Sequence, residues 1–277
     1  MKTSNIFHAM LPALLLCLAA CNNTEKKAEP ETAAEPKLKE ENITYTGDSV
    51  TMKGYVVYDE NKKGQRPAVL VVPEWWGLNE YAKRRARELA ALGYIAMAVD
   101  MYGNGEQADN PAKAQELATP FYTNPQKGKT RLDAALAQIK TYSQTDTARI
   151  AAIGYCFGGT QVLNAAKLGD NLKGVVSLHG GLQGPQPDKN LLKAAILVCH
   201  GGADSFVPQA QVDQFKKQMD SIGANYAFKV YEGATHAFTN PDATETGKKF
   251  NMPIAYNAAA DTASWNDMKA FLDKTLR

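Results

Sequence analysis

Ile150-Ala151-Ala152-Ile153-Gly154-Tyr155-Cys156-Phe157-Gly158-Gly159 is the stretch that decides the fold. A short apolar run meets a turn of small residues around a reactive side chain, and a helical pattern follows from about Thr160. This is the layout of a nucleophile elbow, Gly-x-nucleophile-x-Gly, with cysteine where serine is usual. The spacing follows from the chemistry. A sharp strand-to-helix turn holds the nucleophile in a strained backbone conformation, and Gly154 and Gly158 leave room for chain passing beside it. The Phe157 N–H, at the start of the helix, can then bind a developing oxyanion. The plainer alternative is a buried structural cysteine in a glycine-rich turn.

Two later residues supply what a thiol nucleophile needs: a base to take its proton and a carboxylate to orient that base. Behind an elbow of this kind the order along the chain is nucleophile, acid, histidine. Asp204 stands at a turn just past the apolar run Ile196–Val198, and His236 just past the run Tyr226–Tyr231. Both are points where loops leave the carboxyl ends of strands, the edge at which open α/β sheets gather their sites. Asp204 could instead cap a turn or helix ahead of Val207 and Pro208. Among the four histidines, His8 falls in a leader and His179 and His200 precede Asp204, so order selects His236 as the base.

The rest of the chain alternates strand and helix patterns. An antiparallel pair at Ile43–Tyr45 and Tyr55–Tyr58 leads into strands near Ala68–Val72, Ile95–Val99, Ile150–Ile153, Val175–Leu178, Ile196–Val198 and Tyr226–Tyr231. Helices are expected at Asn79–Leu92, Pro125–Tyr142, Thr160–Lys167, Gln209–Ser221 and Ala255–Leu276. Such alternation argues for a mostly parallel sheet with helices on both faces. No insertion is long enough for a large lid, so a fairly open pocket is expected. Trp75, Trp76, Phe157, Phe206 and Phe238 could serve either as its wall or as core. The cluster Lys83-Arg84-Arg85-Ala86-Arg87 falls on a helix whose Leu89 and Leu92 face inward, and reads as a solvated face.

Five segments carry a wider resemblance. They are Val71–Asn79 with Glu74-Trp75-Trp76-Gly77, Gly93–Gly103, Gly154–Gly159, His200–Pro208 and Tyr231–Phe238. In this order, over roughly residues 50–277, they resemble the dienelactone hydrolase family, a cysteine-using branch of the α/β-hydrolases. The resemblance implies an α/β-hydrolase fold and hydrolysis of a carboxylic ester, lactone or thioester, with no cofactor. It also implies that Glu74 contacts the Cys156 thiol and helps convert it to thiolate. The Trp75 N–H would be the second oxyanion donor, beside that of Phe157. Glu74 follows the buried run Ala68–Val72, and burial at a sheet edge raises a carboxyl pKa enough to make it a proton acceptor. A surface or N-cap role before the Asn79 helix is the alternative.

One position departs from the family pattern. Members that open dienelactones hold the substrate carboxylate with arginines, one of them four residues after the catalytic histidine; here that residue is Asn240. The loop after Asp100 also offers no arginine before Arg131. A guanidinium is the geometry-setting anchor for a carboxylate, so dienelactone itself is not the expected substrate. Trp76, Phe206, Phe238 and Asn240 are the expected pocket residues.

The amino terminus bears on location. Lys2 precedes an apolar stretch, Ala9–Ala20, that is too short to span a bilayer and has signal-peptide length. It ends in Leu18-Ala19-Ala20-Cys21, which resembles the lipobox of bacterial lipoproteins, cleaved so that Cys21 becomes the lipidated first residue. Residues 1–20 are thus expected to be a signal peptide and 21–41 a disordered tether rich in Lys, Glu, Ala and Pro. About twenty such residues reach roughly 25 Å. Residues 42–277 would be the catalytic domain of an exported lipoprotein anchored in the bacterial cell envelope.

After processing, only Cys156 and Cys199 would remain of the four cysteines as thiols. The Val175–Leu178 strand falls between theirs, and strands two apart lie about 9–10 Å from each other. A disulfide needs a Cα separation of about 4.4–6.8 Å, so none is expected. A net charge of +2 carries no nucleic-acid footprint, and no repeat, metal-ligand cluster or phosphate-binding loop is evident. The expected partner is a small-molecule ester or lactone, with membrane contact through the lipid alone and a monomeric chain. Two rival readings remain. A non-catalytic tethered ligand-binding lipoprotein would not need the intact Cys–Asp–His set, and a thiol redox protein lacks a second nearby cysteine.

Overall fold

Strands β1 (Leu38–Gly47), β2 (Val50–Asp59) and β3 (Arg66–Val72) open the fold, followed by helix α1 (Glu80–Ala91) and β4 (Ile95–Ala98). Helices α2 (Pro111–Thr123) and α3 (Pro125–Ile139) lead to β5 (Thr145–Tyr155), α4 (Phe157–Lys167) and β6 (Gly174–Leu178). Then come β7 (Ala195–Gly201), α5 (Gln209–Ser221), β8 (Tyr226–Tyr231), α6 (Ala243–Phe250) and α7 (Ala258–Thr275). The computed structural model describes Met1, His8 and residues 35–277; Pro36–Arg277 form one unit, distinct from Met1–Glu35.

The strands form one sheet in the order β1-β2-β4-β3-β5-β6-β7-β8. The β1–β2 and β2–β4 pairs are antiparallel and all others parallel. Helices cover both faces. Successive side chains of a strand point to opposite sides, so Leu70 and Val72 join one core with Leu132, Val162 and Phe215, from α3, α4 and α5. Val69 and Val71 join the other with Leu89, Met268 and Leu272, from α1 and α7. This is the mostly parallel sheet, covered on both faces, expected from the alternation of elements, and the α/β-hydrolase arrangement that the resemblance implies. Since β6 separates β5 from β7, Cys156 and Cys199 are two free thiols.

Three expectations need correction. The domain begins before residue 42, because β1 starts at Leu38 and pairs along its length with β2. Charged residues such as Lys39 and Glu40 are what an exposed edge strand carries, and by composition they look like linker. Helices α2 and α6 were not foreseen: α2 buries only Ala114, Ala118 and Phe121, and α6 only Ala243 and Gly247. Faces that small give no readable hydrophobic period. Lastly, Arg85 is not on a solvated face. It lies four residues before Leu89, hence on the same buried side of α1, while Leu92 is exposed. Its guanidinium donates to Asp261 Oδ1 at 2.5 Å, Glu88 Oε2 at 2.9 Å and the Thr239 carbonyl at 2.8 Å, which offsets the desolvation. The expected signal peptide apart from Met1 and His8, Cys21 and most of the expected tether lie outside the described residues.

Candidate active site

The elbow forms as the sequence requires. Cys156 caps α4 with φ 52° and ψ −114°, a conformation that costs a non-glycine residue about 1–3 kcal/mol. A Cβ on Gly154 would strike the Gly158 carbonyl, and one on Gly158 would strike that of Val72. The Phe157 N–H opens the helix, where first-turn amides have no intrahelical acceptor. The Trp75 peptide sits opposite, after β3, with its carbonyl accepting from Tyr102 Oη at 2.8 Å.

The structure brings the three expected side chains into one line. His236 Nε2 lies 3.0 Å from Cys156 Sγ, and His236 Nδ1 lies 2.9 Å from Asp204 Oδ2. Asp204 Oδ1 accepts from the Phe206 N–H at 2.9 Å, so the carboxylate is fixed by its own turn while it orients the imidazole. Asp204 thus both closes its own turn and meets the imidazole. Burial alone would disfavour an imidazolium at His236. The charge and hydrogen bonds of Cys156 and Asp204 override it and lift the group to about 10. The edge of Phe206 packs on the ring at a centroid distance of 5.0 Å. His200 takes no part in this line and packs against Phe228.

Glu74 is buried at the same place, and burial pushes its carboxyl up to about 7, against the Asn240 hydrogen bond and the nearby His236, which both lower it. Its Oε2 accepts from Asn240 Nδ2 at 2.8 Å. In this arrangement the thiol is engaged by His236 and the carboxyl by Asn240, rather than by each other. Glu74 and Cys156 both line a cavity of about 420 Å³, within the range of small-molecule sites.

Of the expected pocket residues, Trp76 and Phe206 line this cavity with Trp75, whereas Phe238 and Asn240 do not. Phe238 is fully buried against His179 and Tyr231, an inward strand-exit aromatic. Asn240 sits behind Glu74, and among the described residues nothing cationic lines the cavity except His236 when protonated. Lys248 and Lys249 lie on α6, away from it. Phe157 belongs to the core, packed on Tyr102 and Phe121.

Chain order gives His179 no role, yet the structure sets it against the elbow. It is fully buried with φ 43°. Its Nδ1 accepts from the Cys156 N–H at 3.1 Å, which puts the ring proton on Nε2, 2.7 Å from Thr239 Oγ1. Burial and the neighbouring His236 keep it neutral, well below the usual histidine range. From Thr239 the contacts run to Tyr81 Oη at 2.6 Å and to Arg85, so the misread arginine braces the elbow from behind. The only available signal was a strand-exit histidine, and three histidines share it.

Comparisons with known proteins place the chain in a family. The dienelactone hydrolase family model matches residues 52–276. A provisionally named carboxymethylenebutenolidase of Methylorubrum extorquens is 32% identical over 186 residues, or 63% of this chain and 64% of the relative's length. One of the same provisional name from Aquifex aeolicus is 30% identical over 203 residues, covering 72% of this chain and 86% of the relative. The crystal structure of a dienelactone hydrolase-like promiscuous phosphotriesterase from metagenomic libraries superposes with a TM-score of 0.82 at 32% identity, covering 87% of this chain and 99% of that one. The chain belongs to the dienelactone hydrolase family, and it is a hydrolase.

Proposed function

We propose that this protein hydrolyses uncharged carboxylic esters, lactones or thioesters through a Cys156 acyl-enzyme. The observation that carries the reading is the unbroken line from Asp204 Oδ2 through His236 to Cys156 Sγ, at 2.9 Å and 3.0 Å. The Cys156 proton passes to His236 and the sulfur attacks the carbonyl carbon. The oxyanion takes hydrogen bonds from the Phe157 and Trp75 amides. As the C–O bond, or the C–S bond of a thioester, breaks, His236 returns the proton to the leaving oxygen or sulfur. Water then attacks the thioester with His236 as base, and Cys156 recovers the proton. Asp204 holds the imidazole tautomer. Glu74, when ionised, favours the imidazolium form of His236, since the two groups stabilise each other's charges.

Among the described residues no lysine or arginine lines the cavity, which favours neutral substrates over dienelactone. The intact catalytic line weighs against a purely binding role. Export and anchoring rest on the Leu18-Ala19-Ala20-Cys21 motif, with lipid on Cys21 placing the domain at a membrane surface. Turnover of p-nitrophenyl acetate, together with trapping of an acetyl group on Cys156 by mass spectrometry, tests the proposal. Acetylation elsewhere, or none during turnover, overturns it.

A further inference from the structure

Helix α4 is buried along its whole length, yet Thr160, Gln161, Asn164 and Lys167 on it are polar. Gln161 packs against Gly128 of α3, and Lys167 lies over the Phe215 ring at 5.5 Å. Thr160 and Asn164, one helical turn apart, line the active-site cavity instead. Asn164 is only 2% exposed, and its Oδ1 has no hydrogen-bond partner. An unpaired buried carbonyl oxygen is destabilising where leucine would not be. Gly184, which also lines the cavity, lies against it: a Cβ there would strike Asn164 Oδ1.

The same wall holds Gln211, whose Oε1 accepts from the Leu182 N–H at 2.6 Å, which leaves its NH₂ as a donor. An acceptor and a donor in one uncharged wall suit a group that both donates and accepts, and a hydroxyl does so. Distance adds a ruler. Asn164 follows Cys156 by eight residues, about 12 Å along a helix axis, and helical side chains lean back toward the N-terminus. Gln183, Gly184 and Gln211 also border a second cavity of about 360 Å³, so this arm continues outward.

We infer that the arm of the cavity along α4, at Asn164 and Gln211, is a subsite for an uncharged hydroxyl group carried by the substrate chain several bonds from the scissile carbonyl. The inference rests on the hydrolase reading and names its substrate class: hydroxylated neutral esters.

Two ester pairs test it, with the hydroxyl on either side of the ester: ethyl 6-hydroxyhexanoate against ethyl heptanoate, and 6-hydroxyhexyl acetate against heptyl acetate. In the wild type, kcat/KM should favour the hydroxylated member of at least one pair by about fivefold or more. Asn164→Leu should cancel or invert that ratio. Equal or reversed preference in both wild-type pairs, or an unchanged ratio in the variant, overturns the subsite. Binding of 6-hydroxyhexanamide and heptanamide, read by tryptophan fluorescence, separates this inference from the hydrolase reading. Tighter binding of the hydroxylated amide without turnover of any ester would support the subsite and overturn the hydrolase. Turnover with no preference in esters or amides would do the reverse.

Discussion

Asn240 Nδ2 donates to Glu74 Oε2 across 2.8 Å, and both side chains are buried beside the nucleophile. The carboxamide stands where the family's dienelactone-opening members have an arginine, so a neutral group satisfies a carboxyl that burial has lifted to about 7. Between the ordinary value of 4.5 and about 7, the folded chain holds a proton that the unfolded chain has released. Stability therefore falls as pH rises through that window, and the ionised carboxylate is a liability above it. Glu74→Gln should match the wild type in thermal midpoint near pH 4 and exceed it at pH 8, by at most about 2–3 kcal/mol in stability. Activity should move the opposite way, with turnover reduced at pH 8. A variant less stable than the wild type at pH 8 would contradict the burial argument.

Cys156→Ala should remove nearly all ester hydrolysis, and Cys156→Ser should be severely impaired, because a hydroxyl is far harder to ionise than a thiol. The histidine responds as well. Cys156 is the strongest of the influences that raise His236, so the imidazole of the alanine variant should titrate well below about 10. Side-chain NMR of the histidines across pH 6–11 reads this directly, and an unmoved titration would separate the thiol from the imidazole.

His179 acts on the nucleophile through the backbone, as a positioning residue. His179→Phe keeps the bulk but removes one of the two acceptors of the Cys156 N–H, leaving it the Leu178 carbonyl at 3.0 Å alone, at a strained residue. The expected result is a fall in kcat of about tenfold or more with KM little changed, and a stability loss of about 1–3 kcal/mol. An asparagine that restores an acceptor should recover part of kcat. A loss confined to thermal stability would limit His179 to a packing role.

With Glu74 buried in the cavity and, among the described residues, no cation lining the cavity apart from His236, a free carboxylate on the substrate meets little compensation. Dimethyl succinate should therefore be hydrolysed with kcat/KM at least about tenfold above monomethyl succinate at pH 8, a ratio within reach of one unpaired charge. Equal rates would place an anion-binding group in the site after all.

If the Cys21 motif is a lipobox, the full-length protein should partition with detergent and its mature N-terminus should be lipidated Cys21. More than one acyl chain, at roughly 0.8 kcal/mol per buried CH₂, makes such anchoring effectively stable. Cys21→Ala should leave unprocessed precursor or release the domain to the soluble fraction. Mass spectrometry of the wild-type N-terminus decides between this and an unmodified secreted chain.

Local sequence carried much of this protein. Cys156, Asp204 and His236 each follow an apolar strand run, and chain order separates nucleophile, acid and base before any contact is known. The sheet's strands were legible because residues such as Ala68–Val72 lack polar alternation. Where burial and charge part company, the sequence misled: Lys39 and Glu40 belong to an edge strand, and Arg85 turns inward to pair with Asp261. Only tertiary structure decided that Asn240 meets Glu74, that His179 holds the Cys156 amide, and that Asn164 faces the cavity while Gln161 and Lys167 do not. The reason is physical. A strand exit or an elbow is written in a few adjacent residues, whereas those pairings join positions 23 to 166 residues apart, or depend on which way a wholly buried helix faces.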